Sequence, residues 1–156
     1  MRLTAFSFLS FATFIVLLIG CGSKDNEIEK EHPIPRVGVY LEVSLDHEGA
    51  ILLEPYSYKV FDAPLLSGQL LGHCGIVVTH TTQNDYAAYE LACPYCWPQC
   101  IAVTMNPNRG IITAECLVCH TLYDLALGAG HPINGSGKTP LLSYRVAKAG
   151  QVLRVY

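Results

Sequence analysis

Two short cysteine motifs carry the chemistry that this sequence could perform. Cys93-Pro-Tyr-Cys96 and Cys116-Leu-Val-Cys119 each place two thiols three positions apart, and nineteen residues separate Cys96 from Cys116. A C-x2-C turn lets both thiolates point at one metal, so two such turns at this separation predict a four-sulfur site. Clustered thiolates are soft ligands, which suit zinc or iron–sulfur centres and not calcium or magnesium. In an oxidising compartment disulfides could instead close the same motifs and leave them without metal.

The second motif and the residues after it resemble the Rieske [2Fe–2S] domain. The usual Rieske motif, Cys-Pro-x-His-Gly-Ser-x-Phe-Asp, lines up without a gap on residues 116–124, which read Cys-Leu-Val-Cys-His-Thr-Leu-Tyr-Asp. The first Rieske motif, Cys-x-His, lines up on Cys93-Pro94-Tyr95. The tail of the family is matched by Gly130, Gly135, Pro140-Leu141, Tyr144 and Val146. The likeness covers roughly residues 75–156 and is greatest to the Rieske-type lipoproteins of Bacteroidetes.

The ligand positions depart from the Rieske pattern. A Rieske cluster has two Cys on one iron and two His on the other, and the His ligands raise its potential. Here Tyr95 occupies the first His position and Cys119 the second, while His120 sits where the family has Gly. With His120 as the alternative ligand, the resemblance implies an all-Cys set of Cys93, Cys96, Cys116 and Cys119. Such a set could hold [2Fe–2S] at low potential or zinc, but no ligand imidazole could take up a proton with the electron.

Cys100 resembles the extra cysteine that locks the cluster loop of some Rieske proteins through a disulfide. Its usual partner position, between the second pair of ligands, holds Val118 in this sequence. The resemblance therefore leaves Cys74 as the alternative disulfide partner of Cys100.

The first twenty residues have the layout of a secretory signal. Fourteen of them are apolar and Arg2 is the only charge, while the apolar stretch 5–19 is short for a membrane span. Leu18-Ile19-Gly20-Cys21 resembles the bacterial lipobox, which implies cleavage before Cys21 and lipidation of that residue. The polar, acidic run that follows, to about residue 33, predicts a solvated tether. We therefore expect a lipid-anchored, extracytoplasmic protein at the outer membrane, on its periplasmic face or at the cell surface.

The remainder of the chain, 34–156, predicts an all-β domain. From Val37 to Leu45 apolar residues alternate with polar ones, as in a strand with one buried face. Short β-rich runs separated by turn signals follow at 50–53, 58–61, 75–79, 86–91, 101–105, 111–114, 122–125, 141–146 and 152–155. Together with the resemblance, this pattern indicates a Rieske-like β-sandwich with a small cluster-binding subdomain, similar to a rubredoxin or zinc ribbon, over about residues 90–137.

Composition narrows the function further. Ten Lys+Arg against thirteen Asp+Glu give a net charge of −3 with no basic run, which argues against a nucleic-acid partner. Local spacing suggests no hydrolytic site, so we do not expect an enzyme.

The leading hypothesis is an electron carrier that serves a membrane redox partner through a [2Fe–2S] cluster. The alternatives are an interaction or assembly module stabilised by zinc or disulfides, and, less favoured because βαβ units are lacking, a thiol–disulfide exchange protein.

Lipidation is tested by replacing the predicted acyl acceptor. Because the acyl chains would be carried by the Cys21 sulfur, Cys21→Ser should abolish metabolic labelling with fatty acid and release the protein from the membrane fraction. A Cys21→Ser protein that stays with the membranes would exclude the lipid anchor.

Overall fold

The computed structural model describes residues 31–81, 85–127 and 129–156, which form three four-stranded sheets whose strand pairs are all antiparallel. The strands are β1 (Val39–Ser44), β2 (Tyr58–Phe61), β3 (Leu70–Leu71), β4 (Ile76–His80), β5 (Tyr86–Glu90), β6 (Thr104–Met105), β7 (Thr113–Glu115), β8 (Leu122–Asp124), β9 (His131–Asn134), β10 (Ser143–Tyr144), β11 (Val146–Ala149) and β12 (Val152–Val155). Two short 3₁₀ helices span Ala50–Leu53 and Pro107–Arg109. The all-β prediction is confirmed.

The three sheets follow the order of the chain only in part. Sheet I has the strand order β11-β12-β1-β3, sheet II has β10-β5-β4-β2, and sheet III has β6-β7-β8-β9. Sheet III is thus a simple meander made from consecutive strands, and it contains the second cysteine motif between β7 and β8. The predicted signal segment 1–20, Cys21 and most of the tether lie outside the described residues. No helix among the described residues is long and apolar enough to cross a membrane.

Strand β4 lies at the centre of the packing because both of its faces are covered. All five of its residues are buried. Val78 belongs to the core cluster that contains Leu41 and Leu153 of sheet I, whereas Val77 belongs to the cluster that contains Tyr123 of sheet III. A strand buried on both faces reads as a continuous apolar run, as Ile76-Val-Val does. Sheet II therefore separates two hydrophobic cores, one toward sheet I and one toward sheet III.

One of the predicted β-rich runs is a helix. Residues Ala50–Leu53 form a 3₁₀ turn, with the backbone N–H of Leu52 donating to Gly49 and that of Glu54 donating to Ile51. Leu52 is buried while Ile51 and Leu53 are about half exposed. A four-residue apolar run is ambiguous between strand and helix. Here the single buried residue, Leu52, packs into the core and is sufficient to hold one helical turn against it.

Strand boundaries differ from the prediction mainly at sheet edges. Tyr58–Phe61 and Val152–Val155 coincide with predicted runs. The predicted run 101–105 contains only the two-residue strand β6, and the run 141–146 contains β10 and the first residue of β11. Strands β3 and β9, and β11 beyond its first residue, were not predicted. All three are edge strands, and β9 contains Pro132, a residue that edge strands tolerate because it has no backbone N–H to pair. Their pairing depends on the neighbouring strand more than on their own pattern.

A fully buried carboxylate organises the loop between β3 and β4. Glu90 accepts hydrogen bonds from the backbone N–H of His73 (2.8 Å), Cys74 (2.9 Å) and Ala92 (3.2 Å). It also accepts a hydrogen bond from the Tyr144 hydroxyl at 2.8 Å. Burial, and to a smaller extent this hydrogen bond, raises the pKa of Tyr144. Four donors compensate the cost of burying the charge, so Glu90 fixes the backbone that carries Cys74.

We expect Glu90→Gln to lower the free energy of unfolding by about 2–4 kcal/mol, because an amide presents one acceptor atom where the carboxylate presents two. Denaturant unfolding followed by circular dichroism measures the change. The control is Glu42→Gln, which removes a surface ion pair with Arg154 (2.7 Å) and should change stability little. Equal stabilities of the two variants would contradict this role for Glu90.

Candidate metal centre

The first cysteine motif lies in a loop that leaves sheet II and returns toward sheet III, which we call the first knuckle (residues 93–100). The loop is closed at its base by a bridge between Ala92 and Ala102 and by the Cys93 N–H, which donates to Ile101 at 2.8 Å. Inside the loop, the Cys96 N–H donates to the Cys93 carbonyl at 3.2 Å. This tight turn directs both thiols to the same side.

The second cysteine motif forms the turn between β7 and β8, which we call the second knuckle (residues 116–121). The Cys116 N–H donates to Thr121 at 2.9 Å, and the His120 N–H donates to Cys116 at 2.8 Å. The turn requires a left-handed residue, and His120 has a φ of 56° at the position where the Rieske motif has Gly. Gly135 packs so closely on the backbone of His120 and Thr121 that a side chain there would collide with it. The chain after β9 thus supports the second knuckle.

The two knuckles bring the four thiols together as the spacing predicts. The Sγ atoms of Cys93, Cys96, Cys116 and Cys119 all lie within 4.8 Å of one another. The Cys93 and Cys119 sulfurs are 3.6 Å apart, and those of Cys96 and Cys116 are 3.7 Å apart. A tetrahedron with metal–sulfur bonds of about 2.3 Å has edges of about 3.8 Å. The group can therefore hold a metal ion with thiolate ligands.

Burial divides the four cysteines into two pairs. Cys93 and Cys116 are fully buried and belong to the core cluster between sheets II and III, whereas Cys96 and Cys119 are half-buried. Burial, with a smaller effect from neighbouring thiols, raises the pKa of both Cys93 and Cys96. Protonated thiols are poor ligands, so metal binding at this site must displace protons.

Two hydroxyl groups contact the sulfurs from sheet III. The Thr121 Oγ1 accepts from the Gly137 N–H at 2.7 Å, which leaves its hydrogen free to donate to the Cys119 sulfur at 3.1 Å. The Tyr123 hydroxyl lies 3.5 Å from the Cys93 sulfur, and burial, followed by this contact, raises the pKa of Tyr123. The tyrosine therefore stays protonated and donates to a Cys93 thiolate.

Sequence reasoning did not assign Thr121 and Tyr123 to the site. The signal was present, since both residues fall within the quoted Rieske motif, at its Ser and Phe positions. Strand alternation places both side chains on the same face of the chain as it leaves the second knuckle, toward the sulfurs.

The other predicted site residues that the structure describes are not part of the four-thiol group. His120 is outside it: its side chain is 76% exposed, and its Nδ1 is 3.8 Å from the Glu115 carboxylate. Cys74 and Cys100 are joined by a disulfide with a Cα–Cα distance of 5.9 Å, which ties the first knuckle to the loop held by Glu90. By closing 26 residues, this bridge would stabilise the fold by about 3 kcal/mol. Cys21 lies outside the described residues.

The chain matches no protein-family model and no curated protein. The Rieske resemblance consequently rests on the aligned motifs alone, and the site has to be interpreted from its own geometry.

Hydrogen bonding makes the Cys119 thiol more acidic than an ordinary cysteine. Burial acts to raise the pKa of Cys119, but the Thr121 hydroxyl and backbone N–H, with neighbouring thiols, outweigh it and lower the pKa to about 7. In chelator-treated protein we expect iodoacetamide to modify Cys119 first, with a half-maximal rate near this pH, because the thiolate is the reactive form. Thr121→Val should move that midpoint upward. Mass spectrometry maps the labelled cysteine.

The matched control is Thr104→Val, which changes an exposed threonine on β6 of the same sheet. It should leave the midpoint of Cys119 modification unchanged. An unchanged midpoint in Thr121→Val as well would show that this hydroxyl does not stabilise the thiolate.

Proposed function

We propose that this chain is a membrane-tethered, extracytoplasmic protein whose four cysteines bind a single tetrahedral zinc ion with a structural role. The observation that carries the zinc site is the mutual distance of the four sulfurs, all within 4.8 Å. The membrane tether rests on the sequence pattern of the first residues of the chain. One ion bonded to four thiolates at about 2.3 Å needs sulfurs at about this spacing.

A [2Fe–2S] cluster fits this arrangement less well. Two bridged irons hold two separate pairs of thiolates, and sulfurs on different irons lie farther apart than sulfurs on one iron. In the Rieske alignment Cys93 and Cys116 share one iron, so Cys93 and Cys119 would lie on different irons. These two sulfurs are 3.6 Å apart, and the other cross pair, Cys96 and Cys116, is 3.7 Å apart. Both cross pairs favour a common metal ion.

Ion chemistry favours zinc over a single iron. Zinc binds a given set of ligands more tightly than Fe²⁺ does. Four protein ligands leave no open coordination position, which is typical of structural zinc sites and not of catalytic ones. Because Cys93 and Cys116 are part of the core between sheets II and III, an ion bound here would fix the two knuckles against that core.

The second candidate function is electron transfer through iron, as the Rieske resemblance implies. It is favoured by the hydroxyl groups of Thr121 and Tyr123, which hydrogen-bond to ligand sulfurs, because such bonds tune the potential of iron–sulfur centres. An all-Cys cluster would have a low potential and would transfer electrons without a ligand proton. The redox partner would be a membrane protein near the anchor.

Metal analysis of the full-length protein, purified anaerobically in detergent, separates the two candidates. We expect one zinc per chain and a colourless protein. Two irons per chain with a red-brown colour would establish the carrier, and a metal-free protein would contradict both candidates.

Two variants test the ligand set. Cys119→Ala should lose stoichiometric metal because only three thiolates remain, while the matched variant His120→Ala should retain it, since the His120 side chain is exposed and outside the group. The reverse result would mean that the second knuckle rearranges and that His120 is the ligand.

A further inference from the structure

The knuckles end in an exposed apolar surface, which we call the tip (Tyr95, Leu117 and Val118). The exposed fractions of these side chains are 59%, 64% and 61%. Tyr95 adjoins Cys96 and Leu117 adjoins Cys116, and the sulfurs of those cysteines are 3.7 Å apart, so the two halves of the tip are neighbours. Residues 91–103 contain no charged side chain, and His120 is the only titratable group besides the thiols in 116–121. The two segments that form the tip therefore contribute apolar side chains and no fixed side-chain charge.

The chain enters the domain directly beside the first knuckle. Ile34 is buried in a small cluster with Ala92 and Leu142, and Trp97 of the first knuckle packs against this cluster. His73 reinforces the junction: its ring meets the Trp97 ring at a centroid distance of 4.7 Å, and its Nε2 lies 3.0 Å from the Pro35 carbonyl. The first described residues, 31–35, thus lie at the metal-binding end of the domain.

The tether is short compared with the domain. Ten residues connect Cys21 to Glu31, which span at most about 36 Å when fully extended. The solvated tether predicted from the sequence would have an average end-to-end distance of about 17 Å. A compact domain of about 125 residues is roughly twice as wide as that average. A lipid at Cys21 would therefore keep the metal-binding end close to the bilayer.

We propose that the tip rests on the lipid bilayer surface, with Tyr95, Leu117 and Val118 in the interfacial region; this inference rests on the proposed lipid anchor. Tyrosine and tryptophan favour the membrane interface, where the ring is apolar and the polar group stays hydrated. Three apolar side chains bind a bilayer weakly on their own, but the anchor makes the contact intramolecular and raises the effective concentration. The tip then contacts lipid, and the metal-binding end of the domain faces the membrane.

The single tryptophan of the chain, Trp97, reports this contact directly. Full-length lipidated protein is reconstituted into phosphatidylcholine vesicles made with or without brominated acyl chains, which quench tryptophan only at short range. We expect weaker Trp97 emission in the brominated vesicles. Tyr95→Ser/Leu117→Ser/Val118→Ser should lose this difference while still floating with the vesicles and retaining its metal.

The matched control is Leu66→Ser/Ile111→Ser/Leu127→Ser, which changes three equally exposed apolar residues away from the knuckles. It should keep the quenching of the unsubstituted protein. Unsubstituted protein that floats without quenching would overturn the tip contact while leaving the anchor and the metal intact. Protein that does not float would overturn the anchor and this inference together. A Trp97 emission that ignores the brominated chains but shifts to shorter wavelength in native membranes would identify a membrane protein, not lipid, as the occupant.

Discussion

The convergence of four thiols on one point is the constraint on which the rest of this structure depends. Each knuckle alone directs two sulfurs, but the pairs meet only if both loops are held in register. Cys93 and Cys116 achieve this by packing, since both are part of the core that joins sheet II to sheet III. Protein interiors are densely packed, so a shift of either sheet would separate the sulfurs. The hydrophobic core thus determines the geometry of the site.

Polar interactions around the site also restrain the two knuckles, because they attach each knuckle to a sheet. Glu90 at the end of β5 fixes the backbone at Cys74, and the Cys74–Cys100 disulfide connects that backbone to the end of the first knuckle. On the other side, Thr121 links Cys119 to the Gly137 N–H. The first knuckle is therefore attached to sheet II and the second to sheet III. Neither attachment provides a ligand, yet both limit how far the sulfurs can move.

Sequence predicts the site better than it predicts the sheets. The four thiols could be assigned from spacing because a C-x2-C turn is a local structure whose geometry depends on a few residues. Long buried strands such as β4 were also visible, since burial on both faces gives a continuous apolar run. The edge strand β9 was not, because three of its four residues are exposed and show no alternation of apolar and polar side chains. Ala50–Leu53 was misassigned because four apolar residues satisfy a strand and a helix turn equally.

The arrangement of the sulfurs bears on the chemistry that the two knuckles can support. Position 95 holds a tyrosine, and the adjacent Cys96 brings its sulfur into the four-thiol group. The tight turn at Cys96 directs that sulfur toward the other three. A group of four cysteines contains no imidazole that could take up a proton together with an electron. Four thiolates could hold one tetrahedral ion without an open coordination position. An ion held in this way would fix both knuckles to each other and so hold the apolar tip rigidly at one end of the domain.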